Sequence, residues 1–142
     1  MAEITLTGDA VKRQLELGHS AYIVDDFSED GRRFRLFVGL DLISDGNTAK
    51  YYWLFQQPVN STEDEDYLWP HSPDTDVLLA KTKQKLAKVD PRLREIVDLT
   101  SNRDIRTPPI KFYCIELKSL PSSRITLLGD AAHVMPPCKC AS

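Results

Sequence analysis

The chain has 142 residues, 42% of them hydrophobic and 27% charged, which is typical of one globular domain rather than of a disordered segment. Its 18 basic and 21 acidic residues give a formal net charge of −3, so we predict no nucleic-acid partner. No apolar run approaches the roughly 18 residues of a membrane span, no secretory signal opens the chain, and three cysteines indicate no disulfide framework, so we expect a soluble, cytoplasmic protein without a membrane partner.

The first elements of the chain are predicted to be a strand followed by a helix. Ile4 and Leu6 alternate with polar residues, which favours a short strand. A helix is then expected to start at Gly8-Asp9 and to end at Gly18.

Three β-rich runs follow, separated by turn signals. "SAYIVDDF" and "RFRLFVGLDLI" flank "SEDGR", and "KYYWLFQQPV" follows "SDGNTA", a pattern that predicts consecutive hairpins. Alternation in the third run predicts an apolar, aromatic face formed by Tyr51, Trp53 and Phe55. The other face of that strand would carry Tyr52, Leu54 and Gln56.

The second half of the chain is predicted to add helices and two further strands. Residues 60–76 are polar and indicate a solvated loop. Apolar spacing predicts a helix over Asp76–Val89, and Asp90-Pro91 is a favourable start for another. "IKFYCIEL" and "RITLLG" are predicted strands. The fold class is therefore α+β, an antiparallel or mixed sheet covered by helices.

The most distinctive segment is "RITLLGDAAHVMPP", residues 124–137. Gly129 permits a tight exit from the strand, and Asp130 then lies at the strand end beside the small Ala131 and Ala132. A carboxylate there can accept charge-assisted hydrogen bonds from sugar or ribityl hydroxyls, and free backbone N–H groups can face a phosphate. An isolated "GDAA" is nevertheless more often a turn with an aspartate cap.

The longer string resembles the second FAD-binding motif of the flavoprotein aromatic hydroxylases related to p-hydroxybenzoate hydroxylase. Members typically read "grvtLlGDAAHaMpP" at this place, and the upstream "QLELGHSAYIV" and "FVGLDLI" resemble their middle region more weakly. The resemblance implies an FAD-dependent monooxygenase that uses NAD(P)H and O2 to hydroxylate a small aromatic or related molecule. In such enzymes the cofactor carries the chemistry and the protein orients it.

The resemblance also implies a set of cofactor-binding residues. They are Gly129, Asp130, Ala131, Ala132, His133, Pro136 and Pro137. Asp130 would bond the ribityl chain, His133 would support the turn, and the two prolines would lie close to the flavin. The sequence identifies no catalytic residue, and the substrate is left open.

Two parts of the family's FAD site are not found in the sequence. There is no G-x-G-x-x-G, and the Asp-Gly pairs at residues 30–31 and 45–46 are better explained as hairpin turns. The helix that normally follows the Gly-Asp motif is replaced by "CKCAS". We expect a substrate-domain-like part over residues 1–117 and a partial FAD-binding segment over 118–142, whose strand would return to an FAD-binding domain. Such an incomplete chain would have little activity alone.

One other interpretation stays open at this point. The chain could be a non-catalytic α+β module that binds a small apolar ligand or a partner protein. If the face of Tyr51, Trp53 and Phe55 were exposed, self-association through it would be favoured.

Cys138 and Cys140 with His133 are one ligand short of a structural zinc site, so we predict no metal.

Overall fold

A computed structural model describes residues 1–58 and 69–107, all within one compact unit, Met1–Pro109. The elements are β1 (Ala2–Thr7), α1 (Asp9–Leu17), β2 (Ala21–Phe27), β3 (Arg33–Ile43), β4 (Thr48–Gln56), α2 (Thr75–Lys85) and α3 (Pro91–Leu99). Single turns of 3-10 helix lie at Trp69–His71 and Asn102–Asp104. The predicted α+β class is confirmed. The strands predicted after residue 109 and the boundary predicted after residue 117 lie outside the described residues and stay predictions.

The four strands form one open antiparallel sheet in the order β1-β4-β3-β2. Its two hairpin turns contain the Asp-Gly pairs, and Gly31 and Gly46 have φ values of 76° and 74°, which residues with side chains rarely adopt. Asp30 and Asp45 each accept the backbone N–H two residues further on. Both Asp-Gly pairs therefore serve hairpin turns, as the sequence predicted.

Helices α2 and α3 each begin at an aspartate whose side chain accepts a hydrogen bond from a free backbone N–H group. Asp74 accepts a hydrogen bond from the N–H of Asp76 at the start of α2. Asp90 does the same at α3, with Pro91 in the first turn, so the predicted Asp-Pro start is confirmed. Helix α2 ends at Lys85 rather than at the predicted Val89, and the apolar residues Leu86 and Val89 reach the core from the turn that follows it.

One face of the sheet and all three helices share a single apolar core. Strand residues in this core are Ala2, Ile4, Leu6, Val24, Phe34, Leu36, Val38, Ala49, Tyr51 and Trp53. Residues from the helices and the turn after α2 are Val11, Leu79, Leu86, Val89, Ile96 and Val97. The alternation of the strands therefore places every second side chain against the helices.

The aromatic face of β4 is confirmed, and it is covered rather than exposed. Tyr51 and Trp53 are each only 2% exposed, and Phe55 stacks on Phe34 with ring centroids 5.5 Å apart. The chain supplies its own cover for this face through the three helices. Self-association stays a prediction, but this face does not provide the exposed surface for it.

A buried indole hydrogen bond ties β4 to the end of α3. Trp53 Nε1 donates to Thr100 Oγ1 at 2.9 Å, and that hydroxyl donates to the carbonyl oxygen of Ile96 at 2.8 Å. Both bonds are in the core, where an unpaired donor would be costly. This connection fixes the orientation of Trp53 against the helix.

A second buried polar cluster joins α1, β2 and α3 through Gln14, which is fully buried. Its Oε1 lies 2.9 Å from the hydroxyl of Tyr22, and its Nε2 donates to Glu95 Oε2 at 3.1 Å. Arg13 Nε donates to the other oxygen of Glu95 at 2.8 Å. The sequence pattern did not indicate this cluster, because Gln14 is a polar residue on the buried face of α1, one turn after the core residue Val11.

Replacing Tyr51 with phenylalanine is expected to raise the free energy of unfolding by about 1 kcal/mol. The Tyr51 hydroxyl is buried and has no hydrogen-bond partner among the described residues, so its removal relieves a desolvation cost. Urea unfolding followed by circular dichroism measures the change. Tyr22→Phe is the matched control and should lower the stability, because it leaves Gln14 Oε1 without its donor. A loss of stability in Tyr51→Phe would contradict this prediction.

Candidate functional site

The face of the sheet opposite the core carries a second ordered surface, which we call the open face. Its residues on the three strands β2 to β4 are Ile23, Asp25, Arg35, Phe37, Gly39, Tyr52, Leu54 and Gln56. The three described helices contribute to the core on the other side. On the open face Ile23 is 52% exposed, so a large apolar side chain there is accessible in the described part of the chain.

The strand register gives the open face an apolar row. Ile23 lies opposite Phe37, and Phe37 lies opposite Leu54. Since neighbouring strands are about 4.8 Å apart, three side chains in a row span about 10 Å. That length suits a bicyclic aromatic molecule lying flat across the strands.

A charged cluster borders the apolar row on one side. Arg33 holds both carboxylate oxygens of Asp25 at 2.8 Å, and Arg35 Nη2 reaches Asp25 Oδ2 at 2.5 Å. Hydrogen bonds from Arg33 first and then from Arg35 lower the pKa of Asp25 to about 2. The carboxylate is therefore ionised at neutral pH, and the cluster of two cations and one anion is net positive.

An aromatic pair borders the apolar row on its other side. Tyr52 lies opposite Gly39 in the register, and its ring centroid is 5.7 Å from that of Phe37. A Cβ added at Gly39 would be 2.8 Å from the Tyr52 hydroxyl oxygen. The ring of Tyr52 therefore lies across β3, with its hydroxyl over the glycine.

A separate groove of about 660 Å³ runs along β1 at the edge of the sheet. Its opposite wall is formed by Leu99, Ser101 and the turn that follows. The carboxylate of Glu3 pairs there with Arg106 at 2.7 Å and with Lys50 at 3.3 Å. These two cations are therefore already paired with Glu3. We regard the open face as the better candidate for a binding site.

Comparison with known proteins finds similarity to an FAD-dependent monooxygenase. The chain is 37% identical over 138 residues to the FAD-dependent monooxygenase thnD of Trichoderma harzianum, a match that covers 96% of this chain and 33% of that protein. That similarity supports an FAD-dependent monooxygenase family. The chain spans about a third of the length of this relative. No protein-family model matches the chain, and no solved structure matches it.

The cofactor-binding residues expected from the sequence, Gly129 to Pro137, all lie outside the described residues. Their predicted roles at FAD stay predictions. Within residues 1–58 and 69–107, no cluster of His, Cys, Asp and Glu could hold a metal ion. None of the helices in those ranges has the length and apolar character needed to cross a membrane.

Sequence reasoning assigned Tyr52 to the correct face but gave it no role, and it did not single out Gly39. One signal was available, since "FVGLDLI" has a glycine in the interior of a strong strand pattern. Glycine at such a place often marks a close approach by another group. The partner of Gly39 could not be named from sequence, because the register between β3 and β4 decides it.

Proposed function

We propose that the chain belongs to an FAD-dependent monooxygenase of the p-hydroxybenzoate hydroxylase-like type, which hydroxylates a small aromatic or related molecule with NAD(P)H and O2. The observation that carries this proposal is the similarity to an FAD-dependent monooxygenase over 96% of the chain. The resemblance of residues 124–137 to the second FAD motif of the aromatic hydroxylases supports it independently of the structure.

In this proposal the Gly-Asp segment holds the cofactor. Asp130 accepts hydrogen bonds from the ribityl hydroxyls, while Gly129, Ala131 and Ala132 allow close approach of the cofactor to the backbone. His133 supports the turn, and Pro136-Pro137 lie beside the flavin. Bound FAD supplies the oxygen chemistry, and the protein supplies binding and orientation.

The open face is proposed as a wall of the substrate pocket. Its apolar row, Ile23, Phe37 and Leu54, offers a flat surface that removes water from one side of an aromatic ring. The Asp25 cluster bounds that row with charge. The described residues thus fit a planar, apolar substrate on the side away from the helices.

We further propose that the chain alone has little activity. The sequence has no G-x-G-x-x-G to bind the ADP phosphates, and it spans about a third of the monooxygenase it matches. Each charge-assisted hydrogen bond that is not made forfeits roughly 1.5–3 kcal/mol of binding. FAD affinity should therefore be modest, in the micromolar range at best.

The proposal is tested by titrating FAD with the purified chain and following flavin fluorescence. Asp130→Ala should weaken binding about 10- to 100-fold, because one charge-assisted hydrogen bond is lost. Asp45→Ala is the matched control, since Asp45 also adjoins a glycine but caps a hairpin turn; its Kd should equal that of the wild type. Equal weakening by both variants would refute the proposed role of Asp130, and no saturable binding by any of the three proteins would refute FAD binding by this chain.

A second function is favoured by the open face alone: binding of a small apolar ligand, or of a partner protein, without chemistry. Ile23 and Phe37 offer such an apolar surface whether or not a flavin is present. The two functions differ in a simple property, because a flavin holoprotein is yellow. A colourless protein that binds apolar ligands and ignores FAD would favour the binding module.

A further inference from the structure

Gly39 is an unusual residue for the middle of β3. Glycine weakens a strand, because it has no side chain to pack and loses more backbone freedom on folding. Its φ lies outside the left-handed region, so the backbone conformation does not require glycine. A Cβ would instead be 2.7 Å from Cζ of Tyr52. The glycine is explained by the close approach of this ring.

The consequence of the glycine is a fixed position for the Tyr52 hydroxyl. The ring lies over β3 rather than over its own strand, and it contacts Phe37 at a tilt of 39°. Its hydroxyl therefore lies at the border of the apolar row. Among the described residues, no group forms a hydrogen bond with this hydroxyl, which leaves it available as donor and acceptor.

We propose that Tyr52 is a specificity-determining residue that selects aromatic molecules with a hydroxyl or carbonyl substituent. The ring of the molecule would lie on Ile23, Phe37 and Leu54, and its polar substituent would form a hydrogen bond with the Tyr52 hydroxyl. Gly39 is the positioning residue, because it lets Tyr52 lie across β3. The role in hydroxylation rests on the proposed monooxygenase function, whereas the binding preference does not.

The geometry separates this role from simple packing. If Tyr52 only fills the space above Gly39, its ring matters and its hydroxyl does not. If Tyr52 selects a polar substituent, removal of the hydroxyl changes the preference between ligands while the ring stays in place. Tyr52→Phe makes this separation, because it keeps the contact with Phe37.

The test uses two probes of similar shape, 1-naphthol and 1-methylnaphthalene, titrated into the purified full chain and followed by probe fluorescence. The measured quantity is the ratio of the two Kd values. Tyr52→Phe should shift this ratio about 5- to 10-fold against 1-naphthol, the size expected for one neutral hydrogen bond. Gly39→Ala keeps the hydroxyl but displaces the ring, and it should shift the ratio in the same direction.

Thr5→Val is the control, because it removes a hydroxyl from an exposed position of the same face on β1. It should leave the ratio unchanged. An unchanged ratio in Tyr52→Phe, an equal shift in Thr5→Val, or no saturable binding of either probe by the wild type would overturn the proposal. FAD titration of the same proteins keeps the questions apart: a ratio shift without FAD binding would refute FAD binding by this chain and retain the binding preference.

Discussion

Replacing Trp53 with alanine is expected to lower the free energy of unfolding by about 3–5 kcal/mol, the range for a buried tryptophan. The side chain is 2% exposed and is the largest in the core. It contributes both volume between sheet and helices and the hydrogen bond to Thr100. Urea unfolding followed by far-UV circular dichroism measures the loss without relying on the fluorescence of the tryptophan that is removed.

Two further variants separate the volume of Trp53 from its hydrogen bond. Trp53→Phe keeps an aromatic ring and removes the donor, so it should cost less than half as much as alanine. Thr100→Val keeps the shape of residue 100 but leaves the indole N–H buried without its acceptor, at a cost of about 1–3 kcal/mol. A Trp53→Ala protein with wild-type stability would show that the helices do not pack on this face as described.

The sequence could predict the faces of β4 because alternation is a local property. Tyr51 and Trp53 follow the period of two, and each is buried. The start of α3 was equally local, since Asp90-Pro91 combines a side-chain acceptor with a residue that has no N–H to satisfy. The helices that cover the aromatic face could not be predicted from local sequence, because α1 and α3 are separated by more than 70 residues of chain.

The polar cluster around Gln14 and the aromatic border of the open face could not be predicted from sequence either, because both depend on contacts between residues that are distant along the chain. Gln14 is buried because Tyr22 and Glu95 each offer a partner, and neither pairing follows from spacing along the chain. Gly39 faces Tyr52 only through the strand register. The Gly-Asp segment shows the opposite case: its sequence pattern is specific enough to suggest a cofactor, whereas its atoms lie outside the described residues.

Replacing Glu95 with alanine is expected to lower the free energy of unfolding by about 1–3 kcal/mol at pH 7. The cost comes mainly from Gln14, whose fully buried Nε2 loses its acceptor. The ion pair with Arg13 adds less, because the Arg13 side chain is 53% exposed and water screens the charge. Glu95→Gln retains an oxygen acceptor and should cost less than the alanine variant.

Comparison of the wild type with Glu95→Gln at different pH values gives a further test. The hydrogen bond from Arg13 first, and that from Gln14 to a smaller extent, hold the pKa of Glu95 below its ordinary value of 4.5. Because the folded-state pKa is depressed, the charge of Glu95 stabilises the fold fully above that ordinary value, and this contribution is lost as the pH falls through the folded-state pKa.

The stability difference between wild type and Glu95→Gln should therefore shrink as the pH is lowered from 7 to 3. Other carboxylates with lowered pKa values, such as Asp25 and Glu3, titrate in both proteins, so their effects cancel in the difference. Urea unfolding at a series of pH values measures it. A difference that stays constant over this range would mean that the charge on Glu95 contributes nothing, and that α1 and α3 are joined through Gln14 by uncharged hydrogen bonding alone.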